Sequence, residues 1–340
     1  MWILSLHPED YRNKRGTILV NAFWILIILL LVVLAFAWRI SLELKISQIF
    51  TSRIKASYAA KAGLQFAVEI KKSKDKTPYD SLDDIWTNND IFKDKEIGEA
   101  MVSIKYLHHY NENGEPVYFY GLIDEDRKIN LNMGKEYLEI LKRILENLAS
   151  TLKDKEGIDY LTSDIINAII DWRDEDTTTI DNNIENEYYG YINRNNKFKV
   201  LEELLLLKGM DMEKFRKLEN YLTIYGSGRI NINTADEKVL RAVFSLLPID
   251  YGYYVNEIIS RRNINPFSSI DDLIDFIRQL LGLPEGELPE DIRNLINTYF
   301  TVSSTAFQAN IEVKIDNKVK KTVKAIFTVP ECKIIYWNEN

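Results

Sequence analysis

The chain has 340 residues, 46% hydrophobic and 28% charged, with 51 acidic against 43 basic side chains and a net charge of −8. That length exceeds one comfortable core, so two folded units are expected, and the sign of the charge disfavours nucleic acid as the main partner. Cys332 is the only cysteine, and His7, His108 and His109 are the only histidines, which excludes an intramolecular disulfide framework and a thiolate zinc cluster.

The first element is an apolar run from Ile18 to Ala37 with Asn21 as its only strongly polar residue. Twenty helical residues span roughly 30 Å, the thickness of a bilayer's hydrocarbon, so a transmembrane helix is predicted over 18–38. Arg12, Lys14 and Arg15 precede it, which puts the amino terminus in the cytoplasm and the bulk of the chain outside. The helix does not stop there. Leu42, Ile46, Ile49, Ile54, Tyr58, Ala62, Phe66 and Ile70 continue at helical spacing, and no proline intervenes before Pro78.

Lys14-Arg15-Gly16 directly before an apolar run resembles a type IV prepilin processing site. The resemblance implies a leader over 1–16, cleavage after Gly16 by a prepilin peptidase, and a mature start at Thr17. Pilin-like subunits generally carry Glu at the fifth mature position, which here is Asn21. A carboxylate in lipid is tolerated where a neighbour supplies the opposite charge. A subunit without it is the departure expected of a filament's tip-most member.

Beyond the helix, 71–98 reads as an irregular linker with a short helix around Ser81 to Trp86. Ala100 to His108 and Val117 to Ile123 alternate as strands around an Asn111-Glu112-Asn113-Gly114 turn. Strands return only at Phe300 to Phe307, Ile311 to Ile315 and Val319 to Val329, with a turn at Asp316-Asn317. Residues 126–299 between them read as helices. Strands on both sides of a helical block predict one sheet with a helical domain inserted into it.

The helical block repeats itself. Lys128-Ile129-Asn130-Leu131-Asn132 returns as Arg229-Ile230-Asn231-Ile232-Asn233, and Phe198 to Leu204 returns as Phe267 to Leu273. Each asparagine-rich start is expected to cap the next helix, and each aromatic start to staple one.

Several motifs occur in a fixed order: Arg15-Gly16 before the apolar helix, Asp124-Glu125-Asp126 before Ile129 to Asn132, and Asp171-Trp172-Arg173-Asp174-Glu175-Asp176. Glu185 before Tyr188-Tyr189, Leu201 to Leu204 with Lys208-Gly209-Met210, and Gly228 to Ala235 follow. In that order the chain resembles the general secretion pathway protein K family, the large minor pseudopilin of type II secretion systems. Thr17 in place of a bulkier apolar residue, a sixteen-residue leader, and Asn183 in place of Gly depart from the pattern.

The family implies an α+β fold: a long N-terminal transmembrane helix (17–72) and a pilin-like domain with an antiparallel sheet (73–125 and 300–340). An inserted all-α domain (126–299) containing helix-hairpin-helix-like repeats interrupts that sheet. It further implies a non-enzymatic subunit of the cell inner membrane, single-pass, with its bulk in the periplasm. Its partners would be the other minor pseudopilins and the major pseudopilin of the same system.

Asp171 and Asp174 share a helix face at i+3. Counting Asp174 as position one, Asp176, Thr178, Ile180, Asn182 and Glu185 take the ligand spacings of an EF-hand loop, although Thr179 stands where that loop needs Gly. Oxygen donors favour calcium, and the family implies calcium binding in this domain, so Asp171, Asp174, Asp176 and Glu185 are the candidate ligands. A solvated acidic loop is the alternative.

A second class of function is a membrane-anchored DNA-binding protein of a competence or type IV pilus system. Ile230 to Ala235, Leu246-Leu247-Pro248, Ile258 to Arg262 and Pro266-Phe267-Ser268 resemble its helix-hairpin-helix module. Pro248 to Gly252 replaces the usual Gly-x-Gly turn, and residues 126–300 carry 22 basic against 31 acidic side chains, a net of −9, which repels a polyanion. No nucleic acid is therefore expected. The absence of a nucleophile–base set speaks against an enzyme.

Overall fold

The structure, a computed structural model, describes residues 10–74, 77–111, 113–153, 159–179, 190, 195–247 and 251–339, and of 10–15, 74 and 251 only the backbone. It divides into two compact units, Met1–Tyr58 and Ala59–Asn340. The first contains most of helix α1 (Asp10–Lys74). Its side chains from Gly16 through Ala37 are exposed apart from a half-covered Ile27, and the helix is long and apolar enough to cross a membrane.

In the second unit the last turns of α1 lie on a sheet. The buried stripe is Ala60, Leu64, Ala67 and Lys71, at spacings of four, three and four. Tyr58, Ala62, Phe66 and Ile70, whose spacing marks the helix in the sequence, are exposed or only half-buried. The reason is steric. Gly63 approaches Val102 so closely that a Cβ would lie 2.7 Å from its Cγ1, so the small face of the helix turns inward and the larger side chains flank it.

The sheet consists of β1 (Lys95–Ile97), β2 (Ala100–Tyr110), β3 (Pro116–Tyr120), β4 (Ile123–Asp124), β9 (Ala306–Ile315), β10 (Lys318–Thr328) and β11 (Ile334–Glu339), all paired antiparallel. Its main order is β1-β2-β9-β10-β11, with β3 on β2 and β4 on β9. Ile311, Val313 and Ile315 are buried and alternate with Glu312 and Lys314, as a one-sided sheet requires. Asp316 and Asn317 both take positive φ, 53° and 55°, in the hairpin turn that their sequence predicts.

Three local expectations change. The linker around Ser81 to Trp86 forms turns, and a short 3₁₀ helix occurs at Asp90–Phe92 instead. Val117 to Ile123 is split in two at Gly121, where the chain presses on Trp86 and a Cβ would lie 2.3 Å from the Trp86 carbonyl oxygen. Phe300 to Phe307 is split as well: Phe300–Thr301 (β8) belongs to the insert, and the sheet resumes at Ala306.

The chain leaves the sheet at Asp124 and returns at Ala306. These points are neighbours, because Ile123 pairs with Gln308 and Asp124 with Phe307. The stretch between them holds β5 (Ile129–Asn130), α2 (Leu138–Leu152), α3 (Ser163–Arg173), a 3₁₀ helix (Leu201–Leu206) and α4 (Met212–Leu218), followed by β6 (Leu222–Thr223) and β7 (Ile230–Asn231). Then come α5 (Glu237–Phe244), α6 (Tyr251–Ile264), α7 (Ile270–Leu280) and α8 (Glu290–Tyr299), which leads into β8. One continuous apolar core, from Ile129 to Val302, holds this helical insert together.

Candidate functional site: the buried junction of sheet and insert

The internal echo is a structural duplication. Among the described residues, each half runs from a short strand through two helices to an aromatic-led helix and a final helix. A second strand then closes parallel on the first, β5 with β6 and β7 with β8. The asparagines do not cap helices as expected. Asn132 accepts the Phe198 N–H and donates to the Phe198 carbonyl, both at 2.9 Å, and Asn233 treats Phe267 in the same way at 2.8 and 2.9 Å.

The buried arginines match too. Arg173 donates to the Leu131 and Met133 carbonyls, and Arg262 donates to the Ile232 carbonyl at 2.7 Å. Burial holds the Arg262 guanidinium down to about 10 and lowers that of Arg173 as well. Glu203 and Asp272 close the pattern by accepting the N–H of Lys199 and of Ser268. The halves differ between arginine and phenylalanine: 174–197 intervene in the first, and only 263–266 in the second. The acidic loop is thus an addition to the first copy.

Where sheet and insert meet, carboxylates are buried together. Asp124 accepts hydrogen bonds from Thr234 Oγ1 at 2.5 Å, Ser304 Oγ at 2.6 Å, Asn231 Nδ2 at 3.3 Å and the Asp126 N–H at 2.8 Å. Burial, and then the Asp126 charge, push its pKa up to about 7 against the pull of the two hydroxyls. Asp126 accepts from Ser227 through N and Oγ, both at 2.7 Å, and from Thr305 N and Oγ1 at 2.6 and 2.9 Å. Glu125 pairs with Lys128 at 2.7 Å and accepts from Thr223 Oγ1 at 2.5 Å, while burial lowers the Lys128 pKa against that attraction.

The same network reaches α1. Lys71 Nζ lies 2.5 Å from Asp80 Oδ1 and 4.9 Å from the Phe307 ring centre. Asp80 accepts the Ser304 N–H at 2.8 Å, and its carbonyl accepts from Asn231 at 3.2 Å. At the other margin Tyr336 of β11 donates to Glu202 at 2.6 Å, and Lys324 of β10 pairs with Glu219 at 2.9 Å. Helix, sheet and both halves of the insert are therefore fastened by polar groups buried between them.

Gly16 is exposed on α1, with open space where a Cβ would sit, and Thr17 and Asn21 are exposed on the same helix. Asp171 is fully buried in the last turn of α3, Asp174 is half-buried just beyond it, and Asp176 is exposed with one carboxylate oxygen taken by Thr178 N and Oγ1. Glu185, with Ile180 to Tyr189, lies outside the described residues, as do leader residues 1–9 and Pro248 to Asp250 of the hairpin turn. Among the described residues, no group of three or more His, Cys, Asp or Glu side chains gathers to hold a metal.

Lys71, Asp80 and Ser304 were not singled out by sequence. The available signal was a lysine at the fourth position of a stripe of small and apolar residues, Ala60, Leu64 and Ala67.

The family model of type II secretion system protein K, first domain, matches residues 125–227. That range begins inside the buried Asp124 to Asp126 run and ends at Ser227, a ligand of Asp126. A comparison with curated proteins gives no match. Among solved structures, one chain of the crystal structure of the GspK-GspI-GspJ complex from the enterotoxigenic Escherichia coli Type 2 Secretion System is similar, with a TM-score of 0.63 at 15% identity, over 86% of this chain and 99% of that one. At that identity the likeness is one of fold. The chain thus carries a match to the first domain of type II secretion system protein K within its insert, and around it a fold similar to that solved chain.

Proposed function

We propose that the chain is a minor pseudopilin at the tip of a type II secretion pseudopilus, a non-enzymatic structural subunit that helps initiate assembly and supports protein export. The observation that carries this reading is the splice: an α1-on-sheet body whose neighbouring strands β4 and β9 give rise to the whole helical insert. Filament subunits stack along their long helices, and so large an insert is tolerable where nothing stacks above it. Asn21 supports the same position, since it offers a neighbour no carboxylate.

In this reading the inner membrane holds α1 and the prepilin peptidase cuts between Gly16 and Thr17. Other minor pseudopilins and the major pseudopilin are the partners. The working domain boundaries are those of the sequence: 17–72, 73–125 with 300–340, and 126–299.

The competence alternative is disfavoured by where the basic groups go. Arg173 and Arg262 are spent on buried carbonyls, and Arg261 pairs with Asp272 at 3.4 Å, so these hairpin arginines are not free to hold a phosphate.

Calcium in the added loop belongs to the same proposal. Asp174 and Asp176 bring oxygen donors into one turn, which suits a hard cation, and Glu185 would complete the set.

The deciding experiment is amino-terminal sequencing of the mature protein from its native membrane. A start at Thr17, especially an N-methylated one, supports the pseudopilin reading. An intact Met1 overturns it in favour of an ordinary signal-anchored protein.

A further inference from the structure

One cleft in the insert has a character opposite to its surroundings. About 640 Å³ in volume, it opens between the two halves, lined by the turn after β5, the β6–β7 loop, Lys197 and the end of α8. Clefts that hold small ligands or a few residues of chain run roughly 300–1,000 Å³. Residues 126–300 carry 31 acidic side chains, yet among the described residues none lines this cleft, whose charged lining residues are Lys197 and Arg229. Both are exposed, and neither forms an ion pair among the described residues.

The rest of the lining divides by chemistry. Met133, Tyr137 and Ile224 supply apolar surface, while Asn297 and Thr298 supply polar groups on the last turn of α8. Two acids stand nearby. Asp126 lies behind Gly226, its oxygens already taken by Ser227, Thr305 and Ala306. Glu136 sits against Gly134 at the margin and opposes any anion there.

We propose that this cleft binds a carboxylate carried by an extended peptide segment of another protein. The Arg229 guanidinium matches a carboxylate in a two-bond fork, Lys197 adds a point charge, and the apolar surface takes a neighbouring side chain. A single carboxylate suits the site better than a phosphate chain, because the insert's net charge of −9 repels a polyanion. The assignment goes beyond the assembly reading and stands whatever filament the chain serves.

The test is titration of the full chain in detergent micelles, at about 0.15 M salt where surface charges are screened beyond roughly 8 Å. The probes are acetyl-Ala-Leu-Glu-Ala-amide, acetyl-Ala-Leu-Ala-Ala with a free carboxyl terminus, neutral acetyl-Ala-Leu-Gln-Ala-amide, and inorganic phosphate. Binding of either acidic peptide over the neutral one supports the site, and the stronger of the two tells a side-chain from a terminal carboxylate. Arg229→Gln should weaken that binding roughly tenfold or more, as loss of a hydrogen bond to a charged group does. Glu136→Gln should tighten it, and Lys318→Gln, an equal charge change on the sheet hairpin, should leave it unchanged. Equal binding of the neutral peptide, preference for phosphate, or equal loss in the Arg229 and Lys318 variants would each overturn the proposal.

Discussion

Asn233 holds Phe267 by both of its backbone groups, accepting the N–H at 2.8 Å and donating to the carbonyl at 2.9 Å across 34 residues of sequence. Both residues are buried, so no water can replace the asparagine. Asn233→Ala strands a donor and an acceptor and should destabilise the fold by about 2–4 kcal/mol. Urea denaturation checks this, and a loss under about 1 kcal/mol would mean that the clasp is redundant. Asn132→Ala should cost less, since Asn132 holds Phe198 in the same way but is only half-buried at the cleft, where water can take its place.

Lys71 is buried against Asp80 and the Phe307 ring. Lys71→Met leaves Asp80 without that cation and should cost about 3–5 kcal/mol, as broken buried pairs do. Adding Asp80→Asn keeps an acceptor for the Ser304 N–H and should recover part of the loss. A double variant no better than the single one would show that the pair does not act as a unit.

Asp124 gives the junction a pH dependence whose sign can be worked out. Its folded pKa, raised to about 7 by burial and by the Asp126 charge, lies above the ordinary value of 3.8. Between those values the folded state holds a proton that the unfolded state releases. Its contribution is therefore full below about pH 4 and lost as pH rises through about 7. Asp124→Asn cannot titrate, so the variant's stability should change less than the native chain's between pH 5 and about 8, measured by denaturant midpoint. Identical slopes would remove Asp124 as the source.

If the loop after α3 takes up calcium, Asp174→Ala with Glu185→Ala should lower the melting temperature only when calcium is present. For a domain of this size each 1 kcal/mol of lost binding shifts the midpoint by about 2–4 °C. An equal loss in chelator would favour the solvated acidic loop.

Much of the architecture was legible because it rests on periodicity and on turn chemistry. The apolar run, the alternation of Ile311 to Ile315 and the Asp316-Asn317 turn each point to one structure by local physics. The internal echo was legible as a pattern but not in its purpose, since Asn132 and Asn233 serve partners 66 and 34 residues away. The buried face of α1 was not legible, because it is set by how closely Gly63 lets the helix approach Val102, not by the size of its apolar side chains. Asp124 to Asp126 stood out as a motif, but its purpose depends on Ser227, Ser304 and Thr305, 101 to 180 residues away. No local pattern announces such partners.

The adjacency of Asp124 and Ala306 also has a mechanical meaning. A load pulling the insert away from the sheet arrives on two neighbouring antiparallel strands at the same end, the geometry in which a ladder opens one rung at a time. Asp126 sits in that fork, tied to Thr305 and Ala306 on one prong and to Ser227 on the other side. It acts as a rivet at the point where such tearing would begin.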